Sequence, residues 1–301
     1  MHYSRSIVGS RIVCYLDRMG IVLHTVTQAR RDAVLIEPPV LEPAGPVPPS
    51  EVFFGAPSSE EAFCGSAGLL RGPAFTSDEV GEIRNLIKRH VVETAREISR
   101  KTADAIAETE LDNYHRISGE IDHSRLLSKK GRILPKTAVD TIKQMSFFDY
   151  VREAVGPFYL SDEEGIGHEQ ICFRIVRPHR REDVGSLHRD SWFWDYYGFH
   201  TPQGIGRGKV WVPVCGQPGL AGLLLAPGSQ SVPAPYHTET VNGKLAFVPS
   251  FDVDGVGLQR YCGGLGEPIL FNYDTLHVGS LNRAEQCRVS FEITVMFKTA
   301  S

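Results

Sequence analysis

Apolar residues at Val80, Ile83, Leu86, Ile87, Val91 and Ile98 recur at three- and four-residue intervals, which keeps one helical face towards a core. The run Phe75-Thr76-Ser77-Asp78-Glu79-Val80 opens this stretch. Thr76 can cap, Glu79 can complete a capping box, and Phe75 can staple onto Val80. One long amphipathic helix reaching about residue 108 is predicted. A second helical pattern covers 137–155 through Val139, Ile142, Met145, Phe148, Val151 and Val155, and stops at Gly156-Pro157. From there the period drops to two, and short strands are predicted near 158–161, 169–177, 185–190, 208–215, 222–226, 244–249, 267–272, 275–280 and 286–297. In the last of these, Cys287, Val289, Phe291, Ile293, Val295 and Phe297 alternate with Arg288, Ser290, Glu292 and Thr294, giving an apolar and a polar face. Helices first and many short strands afterwards predict a mainly β fold, an antiparallel sandwich or barrel braced by helices.

Composition adds limits. The 301 residues, 42% hydrophobic and 23% charged, suit one substantial core. Residues 37–57 hold seven prolines, through which neither helix nor central strand can run. We therefore divide the chain into an extension with a proline-rich linker (1–57) and a catalytic domain (58–301) whose strands occupy about 158–298. A net charge of −4 offers no basic surplus for a phosphate backbone, so small molecules rather than nucleic acid are the expected partners. Cys14, Cys64, Cys172, Cys215, Cys262 and Cys287 show no CxxC pair, which favours reduced thiols and a cytoplasmic setting. No apolar run is long enough for a membrane span. The five arginines against one acid in the first 31 residues leave an organelle transit peptide open. Oligomeric state has no signature.

His188 and Asp190 stand two apart in a predicted strand, so both side chains leave one face and can grip one metal ion. Alone the pair is weak, since a surface His beside a solvated Asp reads the same. The C-terminal segment changes the balance: His277 is followed eleven residues later by Arg288 and then by Ser290. Two imidazoles and a carboxylate fill one face of an octahedron and leave positions for a bidentate cosubstrate and dioxygen, the set that suits ferrous iron. Arg288 offers a planar fork for a carboxylate, with the Ser290 hydroxyl beside it. The competing view makes Arg288 an exposed strand residue.

With these residues in view, the chain from about 70 to 298 resembles the phytanoyl-CoA dioxygenase-like branch of the iron(II)- and 2-oxoglutarate-dependent oxygenases. The resemblance is carried by LHRDSWFW around His188 and Asp190, GLAGLLLAPGSQ at 219–230, and GEPILFNYDTLHVGSLNRAEQCRVSFE from Gly266 to Glu292. It implies a double-stranded β-helix (a cupin-like jelly-roll), and iron(II) on His188, Asp190 and His277. It also implies 2-oxoglutarate with its far carboxylate on Arg288, dioxygen as the other cosubstrate, and Trp211 against the cosubstrate. The chain departs from the pattern at Gly279, where a small polar residue is usual, at Ala221 and Gln230, and mildly at Glu267. Gln170 and Arg174 share a strand face where the family recruits groups for cosubstrate or substrate.

The implied activity is oxidation, chiefly hydroxylation, of a C–H bond in a small molecule such as a natural-product intermediate. Desaturation, epoxidation and cyclisation would use the same residues. A catalytically silent cupin-like binding or sensor protein, and a cupin-like hydrolase or isomerase on another metal, are the alternatives. Trp192, Trp194, Tyr196 and Tyr197 follow the metal-binding pair and are expected either at a substrate entrance or filling space beneath a loop. Gly204-Ile205-Gly206-Arg207-Gly208-Lys209 lacks P-loop spacing and leads into a strand, so it is read as a turn. His168, His179, His200 and His237 pair with no other ligand at a usable spacing.

Overall fold

Thr76 caps the first long helix as its neighbours require: its hydroxyl accepts from Glu79 N at 3.2 Å, and the Glu79 carboxylate accepts from Thr76 N at 2.8 Å. The computed structural model describes residues 68–198, 201–241 and 244–299; the expected extension and linker at 1–57, and His200, lie outside them. Helix α1 spans Ser77–Ile98. It does not reach 108, because Ser99 turns extended (φ −162°, ψ 128°) and its hydroxyl caps a separate α2, Arg100–Ala107. The apolar spacing continues across the break through buried Ala103 and Ile106, so periodicity alone cannot reveal it. After a single turn, α3 (His123–Leu126), the second helical pattern also divides, into α4 (Lys136–Ile142) and α5 (Ser146–Val155). Glu79 links the two ends of this layer by also accepting from Ser146 N at 2.8 Å. Gly156, at φ 74°, ends α5.

The strands are β1 (Leu69–Arg71), β2 (Phe158–Leu160), β3 (Cys172–Val176), β4 (Ile205–Cys215), β5 (Leu223–Leu225), β6 (Tyr236–Val241), β7 (Lys244–Pro249), β8 (Gln259–Arg260), β9 (Ile269–Asn272), β10 (His277–Gly279) and β11 (Arg288–Lys298). They form a sheet in the order β1-β9-β4-β11-β2 with β3 also on β11, a smaller sheet β10-β5-β8, and a β6-β7 hairpin. Every pairing is antiparallel. The expected mixture of bracing helices and antiparallel strands is therefore present. One expected strand is not: 185–190 makes only an isolated bridge at His188, and Asp190 begins α6, Asp190–Tyr196. β1, β6 and β8 had no predicted counterpart.

The large sheet has two buried faces. Phe173 and Ile175 of β3, Val210, Val212 and Val214 of β4, and Val289, Phe291, Ile293, Val295 and Phe297 of β11 pack with the helices in one core. On the other face Trp211, Ile269 and Phe271 meet Leu223 and Leu225 of the smaller sheet. The inner side of β3, β4 and β11 beyond that apolar patch is polar. Antiparallel register sets Arg174 opposite Ser290, Cys172 and Trp211 on either side of Glu292, and Lys209 opposite Thr294.

Candidate metal centre

His188 and His277 are neighbours because their backbones exchange both hydrogen bonds of a narrow antiparallel bridge, at 3.1 and 3.0 Å. Their rings stand 4.4 Å apart between centroids. Asp190 is brought in by the turn into α6, where its N–H, with that of Ser191, donates to Tyr273 O. The intervening Arg189 points the opposite way and donates to Ser229 O and Val232 O. Ser229 Oγ in turn accepts from Leu276 N at 2.8 Å, so the Pro227-Gly228-Ser229-Gln230 turn fixes the approach to both histidines.

The donor atoms of His188, Asp190 and His277 all lie within 4.8 Å of one another. Each Nδ1 donates to the carbonyl two residues earlier, Ser186 O at 2.8 Å and Thr275 O at 2.9 Å. A carbonyl only accepts, so the proton sits on Nδ1 and each Nε2 keeps its lone pair towards Asp190, 3.9 Å from Oδ1 and 3.7 Å from Oδ2. Burial and the neighbouring His188 push the His277 imidazole down to about 4, so it is neutral at physiological pH. Burial alone would raise the Asp190 carboxyl, but the charges around it, the Lys209 ammonium foremost, hold it below its usual value. Asp190 Oδ2 is buried without a hydrogen-bond partner. Three lone-pair donors, one of them an orphaned carboxylate oxygen, fit a divalent cation such as iron(II).

Arg288 is not an exposed strand residue: it is 3% exposed and faces inward. Its guanidinium donates to Gly222 O at 2.9 Å, lies 5.6 Å from the Trp211 ring, and leaves Nε without a hydrogen-bond partner. Burial, then the like charge of Arg174, lower its pKa to about 9, still above neutral pH. A Cβ on Gly279 would stand 3.7 Å from Arg288 Nη2, so the absent side chain leaves the guanidinium over β10, two residues from His277. On a strand that separation is about 7 Å, near the reach of a five-carbon diacid bridging a metal and a guanidinium. Ser290 is buried beside it. Asn282, fully buried, donates to Val176 O and Gln286 O and shapes the loop between His277 and Arg288.

The other expected residues divide. Trp211, expected against the cosubstrate, lies beside Arg288, and Arg174 faces the polar interior. Gln170 is committed to its own segment, donating to Cys172 Sγ and accepting from Glu164 N. Of the two expectations for the aromatics, Trp192 and Trp194 follow the space-filling one, at 3% exposure each. Trp192 stacks on Tyr236 at 5.0 Å and packs with Leu187, Leu224 and Leu276, while the Trp194 ring lies 3.7 Å from the Arg207 guanidinium. Tyr196 is half-buried against Phe247, and Tyr197 is exposed.

Lys209 and Arg207 were not foreseen. Lys209 Nζ sits 3.7 Å from Asp190 Oδ2 and donates to Thr294 Oγ1 at 3.0 Å, and Thr294 donates to Glu163 at 2.6 Å. Burial works against the Lys209 charge, yet Asp190, Glu163 and Glu292 together raise its pKa. The available signal was their two-residue spacing, which sets Arg207 and Lys209 on the same side of β4 as Trp211.

No family model matches the chain, and none of the curated proteins does. Among solved structures, the chain is similar to the apo form of the non-heme monooxygenase ThoJ, at 13% identity and TM-score 0.48, covering 78% of this chain and 77% of that one. It is similar to EvdO2 from Micromonospora carbonacea var. aurantiaca at 16% identity and TM-score 0.40, covering 56% of this chain and 67% of the other. EctD from S. alaskensis, solved with 2-oxoglutarate and 5-hydroxyectoine, gives 14% identity and TM-score 0.43 over 90% and 86%. Likenesses this distant say nothing about chemistry. Among the described residues, no helix is long and apolar enough to cross a membrane.

Proposed function

We propose that the chain is an iron(II)- and 2-oxoglutarate-dependent dioxygenase, built on a double-stranded β-helix, that hydroxylates a C–H bond of a small metabolite. The observation that carries this reading is the pairing of two sites: a metal-sized His188–Asp190–His277 cluster, and a buried Arg288 guanidinium two residues along β10 with its Nε unpartnered. A hydrolase or isomerase on another metal has no use for the second site.

In this reading His188, Asp190 and His277 hold the iron, and Arg288, with Ser290 and Trp211 alongside, holds the far carboxylate of 2-oxoglutarate. Bound together with dioxygen, iron and 2-oxoglutarate supply the oxidising power for C–H hydroxylation, with release of succinate and carbon dioxide. The chain's share is placement and exclusion of water. The Nδ1 hydrogen bonds keep both imidazoles in the ligand tautomer, and Lys209 keeps Asp190 ionised. The buried Trp192 and Trp194 close the wall behind the Asp190 turn.

Arg288→Ala tests the reading. Loss of a charge-assisted hydrogen-bonded pair costs about 3 kcal/mol, so the 2-oxoglutarate requirement for succinate formation should rise by about 100-fold with iron(II) retention nearly intact. Equal loss of both would contradict the assignment.

A further inference from the structure

Beyond Arg288, the polar interior holds cations that the chemistry above does not use. Arg174 stands on β3 directly across from Ser290, and Cys172, two residues along, stands across from Glu292. The remaining neighbour arrives from outside the sheet: Ile133 bridges Cys172, which sets Arg132 beside the same corner. Arg132 Nε donates to Leu127 O at 3.1 Å, which fixes the stem of the side chain, and among the described residues no hydrogen bond engages the terminal nitrogens of the guanidinium. Arg174 is half-buried, and neither arginine has an ion-pair partner among the described residues.

The charges around this corner do not cancel. Lys209 is matched by Asp190 and, through Thr294, by Glu163. Glu292 is the one carboxylate facing both Arg174 and Arg132, and their charges, with that of Lys209, hold it ionised against its burial. Burial and then the like charge of Arg174 lower the hold of Arg132, and likewise of Arg288, on a proton. Iron(II) and the dianion of 2-oxoglutarate add equal and opposite charge and leave this surplus as it was. Arg174 and Arg132 therefore converge on Glu292 at the inner side of β3 and β11, and the Glu164 carboxylate that also acts on Arg132 is taken up by Lys129. A half-buried unmatched guanidinium is costly unless an anion comes to meet it.

We propose that Arg132 and Arg174 form the seat for an acid group on the organic substrate, so that the compound oxidised is an anionic small molecule bearing a carboxylate or a phosphate. The assignment to substrate rests on the oxygenase reading. The planar forks suit either oxyanion in a bidentate mode. Fixing that group by its charge would hold the rest of the molecule over the open side of the metal cluster, where His188 and Asp190 keep 35% and 22% of their side-chain surface exposed.

The test uses the full chain loaded anaerobically with iron(II) and saturating 2-oxoglutarate, titrated by calorimetry with acetate and with methyl phosphate. The visible charge-transfer band of the iron–2-oxoglutarate complex is followed in parallel. One anion should bind in addition to 2-oxoglutarate without displacing the band. Arg174→Gln and Arg132→Gln should each weaken it by about tenfold, Arg174→Lys by less, and Arg180→Ala, an exposed arginine outside this corner, not at all. Tighter acetate marks a carboxylate substrate and tighter methyl phosphate a phosphate ester, and either supports the seat. A band with no additional anion bound, or binding equal in wild type and Arg174→Gln, overturns the seat and leaves the oxygenase reading standing. Iron retained with no band overturns both.

Discussion

The two faces of β11 are both largely buried and do opposite things. On the outer face Val289, Phe291, Ile293, Val295 and Phe297 are at most 2% exposed and pack on the helices. On the inner face Arg288, Ser290 and Thr294 are at most 5% exposed, with Glu292 between them. Burying the first set contributes about 25 cal/mol per Å² of apolar surface. Burying the second set costs desolvation and is tolerated only because each group finds a partner or awaits one. In a solvated sheet, alternation separates core from water. Here it separates a structural core from a buried polar interior.

Substitutions on the two sides should therefore fail in different assays. The largest effect is expected for Asp190→Ala, which removes the only carboxylate of the metal cluster and should abolish measurable iron(II) retention in equilibrium dialysis. Retained iron would place the metal elsewhere. Next comes Phe291→Ala on the outer face, expected to cost about 3–5 kcal/mol in denaturant unfolding while the folded protein keeps its iron and 2-oxoglutarate affinities. A large fall in those affinities would mean that the two faces are not separable. The smallest effects sharpen the contrast between adjacent residues. Thr294→Val, which leaves Lys209 and Glu163 without their shared hydroxyl, should cost about 1–3 kcal/mol, against about 1 kcal/mol for Ile293→Val. Only the first should alter the charge environment of Asp190, read as a shift in the pH dependence of iron binding.

The same contrast explains what the chain makes legible from sequence. The capping box at Thr76 and the alternation of β11 are local, and both elements begin where their residues require. The coupling of His277 to Arg288 was readable because one strand follows its ligand by a short loop. The two-residue spacing of His188 and Asp190 predicts one face of a strand, whereas a bridge residue followed by a helix start brings the pair together as well as a strand does. Trp192 was ambiguous because an aromatic after a ligand pair suits an entrance or a core, and only the packing against Leu187 and Leu276 decides. Lys209 and Arg207 were hard to place because cations set among Gly206, Gly208 and Val210 look like a solvated turn until the opposite wall of the polar interior is known. The break at Ser99 left no mark, since a serine can sit inside a helix or cap the next one.

The most direct measurement is anaerobic addition of 2-oxoglutarate to the iron(II)-loaded protein, in wild type and in Arg288→Ala. In wild type a weak visible charge-transfer band should appear and saturate, and admitting air should discharge it with formation of succinate. In Arg288→Ala the same band should require about 100-fold more 2-oxoglutarate. Iron bound by the wild type with neither band nor succinate would contradict the reading of the His188–Asp190–His277 cluster and Arg288 as one oxygenase site.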